Sequence, residues 1–228
     1  GTVFKADLGG HLLGIDEATG QTKWTFYPVG QDSFIGTPAF SGGVLYQGSN
    51  KGVFYAVDAA TGALKIKYPF SEPNASFESS PLVAGGAVFA GVSNLNEDSK
   101  GCVTSDQFLA FSPQSATILS SLTLTPPRSS GAAVWASPMI DPQGYAFLAT
   151  GNTCIGPPLK VADAILKIGP ATMKLNWDQQ GPPDGHDLDY DDTPLSVNGM
   201  VVGGDRDGPR PPLIPPTAAL RWPTTPTT

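Results

Sequence analysis

Charge, cysteine and long apolar runs are all scarce in this sequence, and each scarcity excludes a class of protein. Only 14% of the 228 residues are charged, and the net charge of −7 argues against nucleic acid or an anionic membrane as the main partner. No apolar run is long enough to cross a bilayer, so no membrane span is expected. The two cysteines, Cys102 and Cys154, are too few for a disulfide framework and lack metal-site spacing, and the sequence leaves their pairing open.

Glycine, proline and apolar residues are plentiful instead. The chain has 27 Gly, 23 Pro and 40% hydrophobic residues, which predicts many short strands and turns around a sizeable core. It opens in "GTVFKADLGGHLLGID", a pattern typical of a β element already under way. This opening predicts a fragment or a processed product.

A turn motif recurs along the chain. The segments "LLGIDEATGQTKW" (12–24) and "FYAVDAATGALKI" (54–66) share apolar alternation, an Asp-x-x-Thr-Gly unit and an apolar anchor, and degraded copies occupy 108–120 and 165–177. The Asp side chain can accept from nearby backbone amides and Gly tolerates positive φ, so the unit predicts a tight turn. The preceding strands alternate, as in residues 53–57, which predicts one buried face.

Four steps of a small residue followed by proline mark a longer period. Their prolines are separated by 43, 57 and 56 residues and belong to Thr37-Pro38, Ser80-Pro81, Ser137-Pro138 and Thr193-Pro194. Repeats of this length with four short strands each are typical of propeller blades. Trp24 and Trp177 are expected to wedge between neighbouring sheets. The sequence therefore predicts an all-β propeller, and the alternative is an ordinary sandwich with coincidental turns.

The repeat over residues 1–208 resembles that of the pyrroloquinoline quinone (PQQ) propellers. These include quinoprotein alcohol dehydrogenases and non-catalytic relatives that use the blades as scaffolding. The family closes with seven or eight four-stranded blades, whereas this chain shows three complete blades and a partial one at each end. The resemblance thus implies about four blades, an arc or fragment of a ring. Residues 209–228 are rich in proline and are predicted to form a disordered tail.

Four segments narrow the resemblance to the polyvinyl-alcohol dehydrogenase group. They are "SSPLVAGGAVFAGVSNLNE" (79–97), "VWASPMIDPQGYAFLATGN" (134–152), "ADAILKI" (162–168) and "HDLDYDD" (186–192). Their order implies oxidation of alcohol groups with PQQ and calcium. It also implies an alcohol-bearing substrate and an electron acceptor as partners, and a periplasmic or extracellular location.

The same resemblance implies a set of site residues. Calcium selects carboxylate and amide oxygens, and the positions that match its ligands are Glu97, Asn152 and Asp189. Asp189 also matches the base that removes the alcohol proton. The positions implied to contact the cofactor are Arg206 at the quinone oxygens, Trp135 as an aromatic floor and Ser93 as a hydroxyl for a cofactor carboxylate.

Each site residue has a structural alternative, and so has the function. Glu97 fits a polar loop, Asn152 a turn, Arg206 a hairpin charge and Trp135 blade packing. The adjacent cysteines of many alcohol dehydrogenases and a Cys-x-x-Cys-His haem motif are absent from the sequence. Two interpretations follow: a quinoprotein dehydrogenase or a fragment of one, or a non-catalytic propeller that binds a protein or carbohydrate. Whether the chain is an enzyme stays open.

Overall fold

The computed structural model of the chain describes residues 1–30, 32–94, 102–126, 129, 131–154, 159–181, 189–205 and 208–209. All regular secondary structure in these ranges is β-strand, and neighbouring strands pair antiparallel. Within the same ranges, no helix is long and apolar enough to cross a membrane.

The strands form consecutive sheets in chain order. The first sheet contains β1 (Thr2–Ala6), β2 (Leu12–Asp16) and β3 (Thr22–Phe26). The second contains β4 (Ala39–Ser41), β5 (Val44–Gly48), β6 (Val53–Asp58) and β7 (Leu64–Pro69). The third contains β8 (Ala75–Ser76), β9 (Leu82–Ala84), β10 (Ala87–Asn94), β11 (Gln107–Phe111) and β12 (Ile118–Thr123), with β8 and β9 both paired to β10. The fourth contains β13 (Met139–Ile140), β14 (Ala146–Ala149), β15 (Ala164–Gly169) and β16 (Lys174–Gln180). Two hairpins follow, β17 (Leu195–Val197) with β18 (Met200–Val202), and β19 (Gly204–Asp205) with β20 (Gly208–Pro209).

The Asp-x-x-Thr-Gly units are turns between the last two strands of their sheets, as predicted. Asp58 Oδ1 accepts hydrogen bonds from the Ala60 and Thr61 amides at 3.1 and 3.0 Å and from Thr61 Oγ1 at 3.0 Å. Gly62 closes the turn with a positive φ of 74°. The side-chain hydrogen bond from Lys65 and those from Thr61 lower the pKa of Asp58. The carboxylate therefore fixes the turn while ionised.

The degraded copies keep the turn with other residues. Ser112 replaces the Asp and accepts from the Gln114 and Ser115 amides at 3.3 Å, while Ala116 takes the glycine position with φ of 51°. In the fourth sheet Met173 takes that position with φ of 48°. A register shift interrupts the pairing one to two residues before the residue that begins each turn, for example between Ala110 and Phe111, just before Ser112. The repeat thus persists in backbone geometry where its sequence has changed.

The core consists of layers between consecutive sheets. Tyr55 and Val57 of β6 pack against the first sheet, whereas Phe54 and Ala56 pack against the third. The prediction that this strand buries one face was therefore wrong. A sheet held between two others must bury both faces of its central strands, and a run such as residues 53–57 has apolar residues on both.

The Ser/Thr-Pro steps are linked from one sheet to the next. The Thr37 amide donates to Ser80 Oγ at 2.9 Å, and the Ser80 amide donates to Ser137 Oγ at 3.1 Å. Glycine is also required next to the first of these steps, because a Cβ on Gly36 would come within 2.7 Å of the Ser79 backbone. The steps therefore link the segments that lead into β4, β9 and β13 of three consecutive sheets.

Tryptophan closes the first interface as the sequence predicts. Trp24 lies against Gly62 of the second sheet, where a Cβ would approach its ring to 2.6 Å, and its Nε1 donates to the Ala59 carbonyl at 3.2 Å. Trp177 packs on Phe147, with ring centroids 5.8 Å apart, in the layer between the fourth sheet and the β17–β18 hairpin. Both indoles thus lie at sheet interfaces.

Candidate functional site

Asp189 lies in the segment that leads to the last Ser/Thr-Pro step, and the fold brings it to the end of β14. Its side chain is 1% exposed. Its Oδ1 accepts a hydrogen bond of 2.6 Å from the backbone N–H of Asn152. The next residue, Tyr190, donates its amide to the Thr150 carbonyl at 3.3 Å. Backbone pairing between neighbouring segments therefore fixes Asp189 beside the "TGN" sequence.

Gly151 lies where Trp135 and Asp189 converge. A Cβ at this position would overlap Trp135 Nε1 and lie 2.8 Å from Asp189 Oδ1. The Gly151 amide donates to the Ala133 carbonyl at 2.9 Å, which joins the end of β14 to the segment that carries Trp135. Glycine is required here by the close approach of the indole and the carboxylate.

Trp135 presents a buried donor at this position. Its Nε1 is inaccessible to solvent and has no hydrogen-bond partner within the described part of the chain. A buried unpaired N–H costs free energy unless a ligand or water satisfies it. The indole therefore has a donor available to an acceptor atom.

Ser93 lies close to this group in space although it is far from it in sequence, and its hydroxyl already has a structural partner. It is fully buried, and its Oγ accepts the Val134 amide at 2.9 Å. The hydroxyl keeps its own proton, which it can still donate. Ser93 thus ties the third sheet to the residue before Trp135.

Glu78 is a functional candidate that the sequence analysis missed. It is two residues before Ser80-Pro81, as Trp135 is before Ser137-Pro138, so alignment of the steps could have found it. It is 6% exposed. Burial raises the pKa of its carboxyl to about 7; the Ser76 hydroxyl opposes the rise and the charge of Asp106 adds to it. A fraction of Glu78 is consequently protonated at neutral pH.

Asp106 anchors the loop before Trp135. It is fully buried, and its Oδ2 accepts the Gly131 and Ala132 amides at 2.7 and 2.9 Å. Carboxylates that accept backbone amides are stabilised in the charged form. Asp106 therefore fixes the backbone a few residues before Trp135.

Cys102 and Cys154 form a disulfide, which settles the pairing that the sequence left open. Their Cα atoms are 6.3 Å apart and the bond spans 52 residues. Cys154 is two residues after Asn152 in the sequence, and Cys102 is five residues after Glu97. The bridge thus connects the two segments that hold candidate calcium ligands.

Two of the expected site residues, Glu97 and Arg206, lie outside the described residues. So do His186, Asp187 and residues 210–228. The structure brings together Asp189, Trp135 and the backbone of Asn152, and Ser93 is hydrogen-bonded to Val134, the residue before Trp135. Among the described residues, no three His, Cys, Asp or Glu side chains form a cluster that could hold a metal ion.

The described residues fit the implied cofactor and cation in kind. Asp189 and Asn152 carry side-chain oxygens of the kind that calcium selects, and the backbone N–H of Asn152 contacts Asp189 Oδ1. Trp135 supplies a flat ring with a buried donor, and the backbone of Gly151 packs directly against that ring. With Glu97 and Arg206 undescribed, the fit rests on these four residues.

Comparisons with known proteins identify the repeat. Residues 8–151 match the PQQ_2 family, described as outer membrane protein assembly factor BamB. No curated protein sequence matches the chain.

Solved structures share the fold at low identity. Quinohemoprotein alcohol dehydrogenase from Comamonas testosteroni superposes with a TM-score of 0.73 and 17% identity over 91% of this chain and 39% of its own. A europium-containing methanol dehydrogenase gives 0.71 and 19%, over 90% of this chain and 46% of its own. BamB from Moraxella catarrhalis gives 0.66 and 15%, over 91% and 56%.

The chain spans about two fifths to just over half of the length of these structures. Their likeness, together with the consecutive antiparallel sheets, confirms the predicted all-β propeller architecture. The family match covers well over half of the chain. The chain therefore belongs to the PQQ-repeat β-propeller family, whose members related to it include both quinoprotein dehydrogenases and BamB.

Proposed function

We propose that this chain is the part of a quinoprotein-type dehydrogenase that carries the catalytic base, and that the protein oxidises alcohol groups with PQQ and calcium. The observation that carries the proposal is the meeting of Asp189, Trp135 and Asn152 around Gly151. A non-catalytic scaffold has no need for a buried carboxylate and a buried indole N–H on either side of a position where only glycine fits.

Asp189 would act as the general base. Its carboxylate would take the proton of the substrate hydroxyl, and the Asn152 amide holds one of its oxygens in a fixed direction. Its burial keeps competing water away from the carboxylate. Bound PQQ would supply a two-electron acceptor and calcium a Lewis acid. Of the residues named, Asp189, Asn152 and Glu97 would hold the cation, and Trp135, Ser93 and Arg206 the cofactor.

The disulfide supports the proposed location. Disulfides persist in oxidising compartments and are rare in the cytosol, and Cys102–Cys154 is paired here. We therefore expect the protein in the periplasm or outside the cell, with a soluble or dye electron acceptor able to reach it.

The test is substitution of the base. The chain, and any longer protein that contains it, is reconstituted with PQQ and calcium and assayed on primary and secondary alcohols with a dye acceptor. Asp189→Asn keeps an oxygen for the Asn152 amide but cannot take a proton, so turnover should fall by roughly 10²–10⁴-fold.

Asp191→Asn is the matched control, because Asp191 is an exposed aspartate of the same segment. It should retain both turnover and the wild-type circular dichroism spectrum. Asp189→Asn should lose turnover but keep the same spectrum, because its fold is unchanged. Turnover that survives Asp189→Asn contradicts the proposed role of this residue.

A second candidate, a non-catalytic scaffold that binds a protein, is favoured by one observation. The matching family is described by an assembly factor, BamB, and BamB from Moraxella catarrhalis shares the fold. If the wild-type protein binds neither PQQ nor calcium in isothermal titration, the scaffold interpretation replaces the dehydrogenase.

A further inference from the structure

The segments that lead to the four Ser/Thr-Pro steps share one register relative to the cores. The residue three positions before each step is buried in the core layer of its own sheet interface. These residues are Phe34, Phe77, Val134 and Tyr190. Each segment is also tied to a preceding strand by backbone hydrogen bonds, such as that from the Phe77 amide to the Ser49 carbonyl at 2.9 Å. Equivalent positions of the four segments can therefore be compared directly.

Glu78 and Trp135 occupy the same place in this register, two positions before their steps. Successive side chains of an extended segment point to opposite sides. The step from Val134 to Trp135 leaves the core in this way, and the indole reaches Gly151. The same step takes Glu78 away from the core that holds Phe77.

The two segments converge on Gly91 of β10. A Cβ at this position would lie 2.4 Å from Val134 Cβ and 3.2 Å from Ser79 Oγ. Val134 is the residue before Trp135, and Ser79 is the residue after Glu78. Glu78 and Trp135 therefore lie on neighbouring segments, at equivalent positions beside the third sheet.

The surroundings of Glu78 disfavour a negative charge. In the described part of the chain, no ion pair joins its carboxyl to a basic side chain, and the charge that acts on it is that of Asp106. Asp106 accepts the Gly131 and Ala132 amides, which stabilise its ionised form. Burial, with the charge of Asp106 adding to it and the Ser76 hydroxyl opposing it, raises the pKa of Glu78 to about 7.

We propose that Glu78 binds the quinone cofactor as a neutral carboxylic acid and donates its O–H to a carboxylate of PQQ beside Trp135. The proposal rests on the quinone function proposed above and adds a residue and a proton to it. PQQ is a polyanion, and Asp106 and Asp189 already bring negative charge to this region, so a protonated Glu78 avoids a further repulsion. An O–H···O⁻ hydrogen bond between an acid and a carboxylate is one of the strong ones. Cofactor binding is then coupled to proton uptake.

The test follows PQQ binding to the whole chain by isothermal titration at pH 6 and pH 8, with saturating calcium. Wild type should bind about tenfold more weakly at pH 8, because only roughly a tenth of Glu78 is protonated there and the apparent affinity falls with the competent fraction. At pH 8 the heat of binding should vary with the ionisation enthalpy of the buffer, which reports uptake of close to one proton.

Glu78→Gln keeps a neutral donor that does not titrate. It should bind PQQ equally at pH 6 and pH 8 and take up no proton. Glu72→Gln is the matched control, because Glu72 is a partly exposed glutamate earlier in the same segment. It should keep the pH dependence and the proton uptake of wild type.

Phenanthrenequinone, a fused-ring o-quinone without carboxylates, separates recognition of a carboxylate from simple burial of Glu78. It should bind without proton uptake or not bind at all. Proton uptake equal to that seen with PQQ would overturn the proposal, because covering Glu78 would then be sufficient to protonate it.

Two other outcomes overturn the proposal and leave the quinone function standing. They are equal binding of PQQ by wild type at pH 6 and pH 8, and a pH dependence that persists in Glu78→Gln. Absence of PQQ binding at both pH values instead rejects the quinone function, and this proposal with it. If Glu78→Gln does not fold, the proton count of wild type with PQQ and with phenanthrenequinone decides the question.

Discussion

Glu78 lies between β8 and β9 of the third sheet, and this residue is only 6% exposed. Burial raises the pKa of this carboxyl to about 7, with Asp106 adding to the rise, against 4.5 in the unfolded chain. The folded state therefore binds the proton more tightly than the unfolded state. Stability from this group is fully present below pH 4.5 and is lost as pH rises toward 7.

Glu78→Gln should flatten this part of the stability curve. The amide is neutral at every pH, so the variant should equal or exceed wild type above pH 7, by at most about 3 kcal/mol. Urea unfolding at pH 4.5, 6 and 8 measures the difference. Asp32→Asn, at another buried acid in the layer between the first two sheets, is the comparison. A difference in unfolding free energy between wild type and Glu78→Gln that stays constant from pH 4.5 to 8 contradicts the prediction.

The site shows which residues a sequence can locate. Asp189 and Trp135 could be proposed as site residues because motifs of a known family surround them. Glu78 escaped because no such motif marks it, although its distance from Ser80-Pro81 matches that of Trp135 from its own step. The demand for glycine at position 151 depends on two side chains from other segments, so local sequence could not reveal it.

At the scale of strands and turns, the line of hydroxyls through the Ser/Thr-Pro steps is a structural device. Ser137 Oγ accepts the amide of Ser80 from the neighbouring sheet, in a partly buried setting. Ser137→Ala leaves that amide without its acceptor and should destabilise the chain by about 1–2 kcal/mol.

Ser137→Thr keeps the hydroxyl and should stay within about 0.5 kcal/mol of wild type. Thr already occupies this position at Thr37 and Thr193. Chemical denaturation of the two variants separates the hydroxyl from the side-chain volume. Equal losses in both would show that packing, and not the hydrogen bond, matters at this step.

The turns were predictable because their chemistry is local. Asp58 accepts hydrogen bonds from the backbone and side chain of Thr61, and Gly62 supplies the positive φ that the turn needs. All three residues are neighbours in the chain, so the local sequence specifies the turn geometry. Burial on both faces of β6 was not predicted, because alternation suggests one buried face and only the neighbouring sheets supply the second. The continuous apolar run was the available signal.

At the scale of the whole molecule, the Cys102–Cys154 disulfide joins the third and fourth sheets across 52 residues. A cross-link of this length removes freedom from the unfolded chain. Reduction should therefore lower the free energy of unfolding by about 2–4 kcal/mol.

The double variant Cys102→Ser/Cys154→Ser is the control. It should unfold at the lower midpoint of reduced wild type and should not respond to dithiothreitol. A wild-type midpoint that is unchanged by reductant, with thiols confirmed free by labelling, would contradict the prediction.

The architecture of the whole was predictable from the repeat, since the spacing of turns and proline steps encodes the sheets one by one. The packing of side chains between neighbouring sheets could not be predicted in this way. Ser120 gives no sign in the sequence that it borders a cleft, because the cleft is formed with residues of the fourth sheet that are distant in sequence, such as Ile140 and Pro170.

The layered core has a consequence for how this sequence can change over time. Phe54 stacks on Phe111 of the third sheet at 4.4 Å, whereas its neighbour Tyr55 meets Phe26 of the first sheet at 5.6 Å. Successive residues of β6 therefore pack against different sheets, on opposite faces of the strand. In an alignment of related chains, odd and even positions of β6 should covary with different repeats, so that each strand evolves as two interleaved halves.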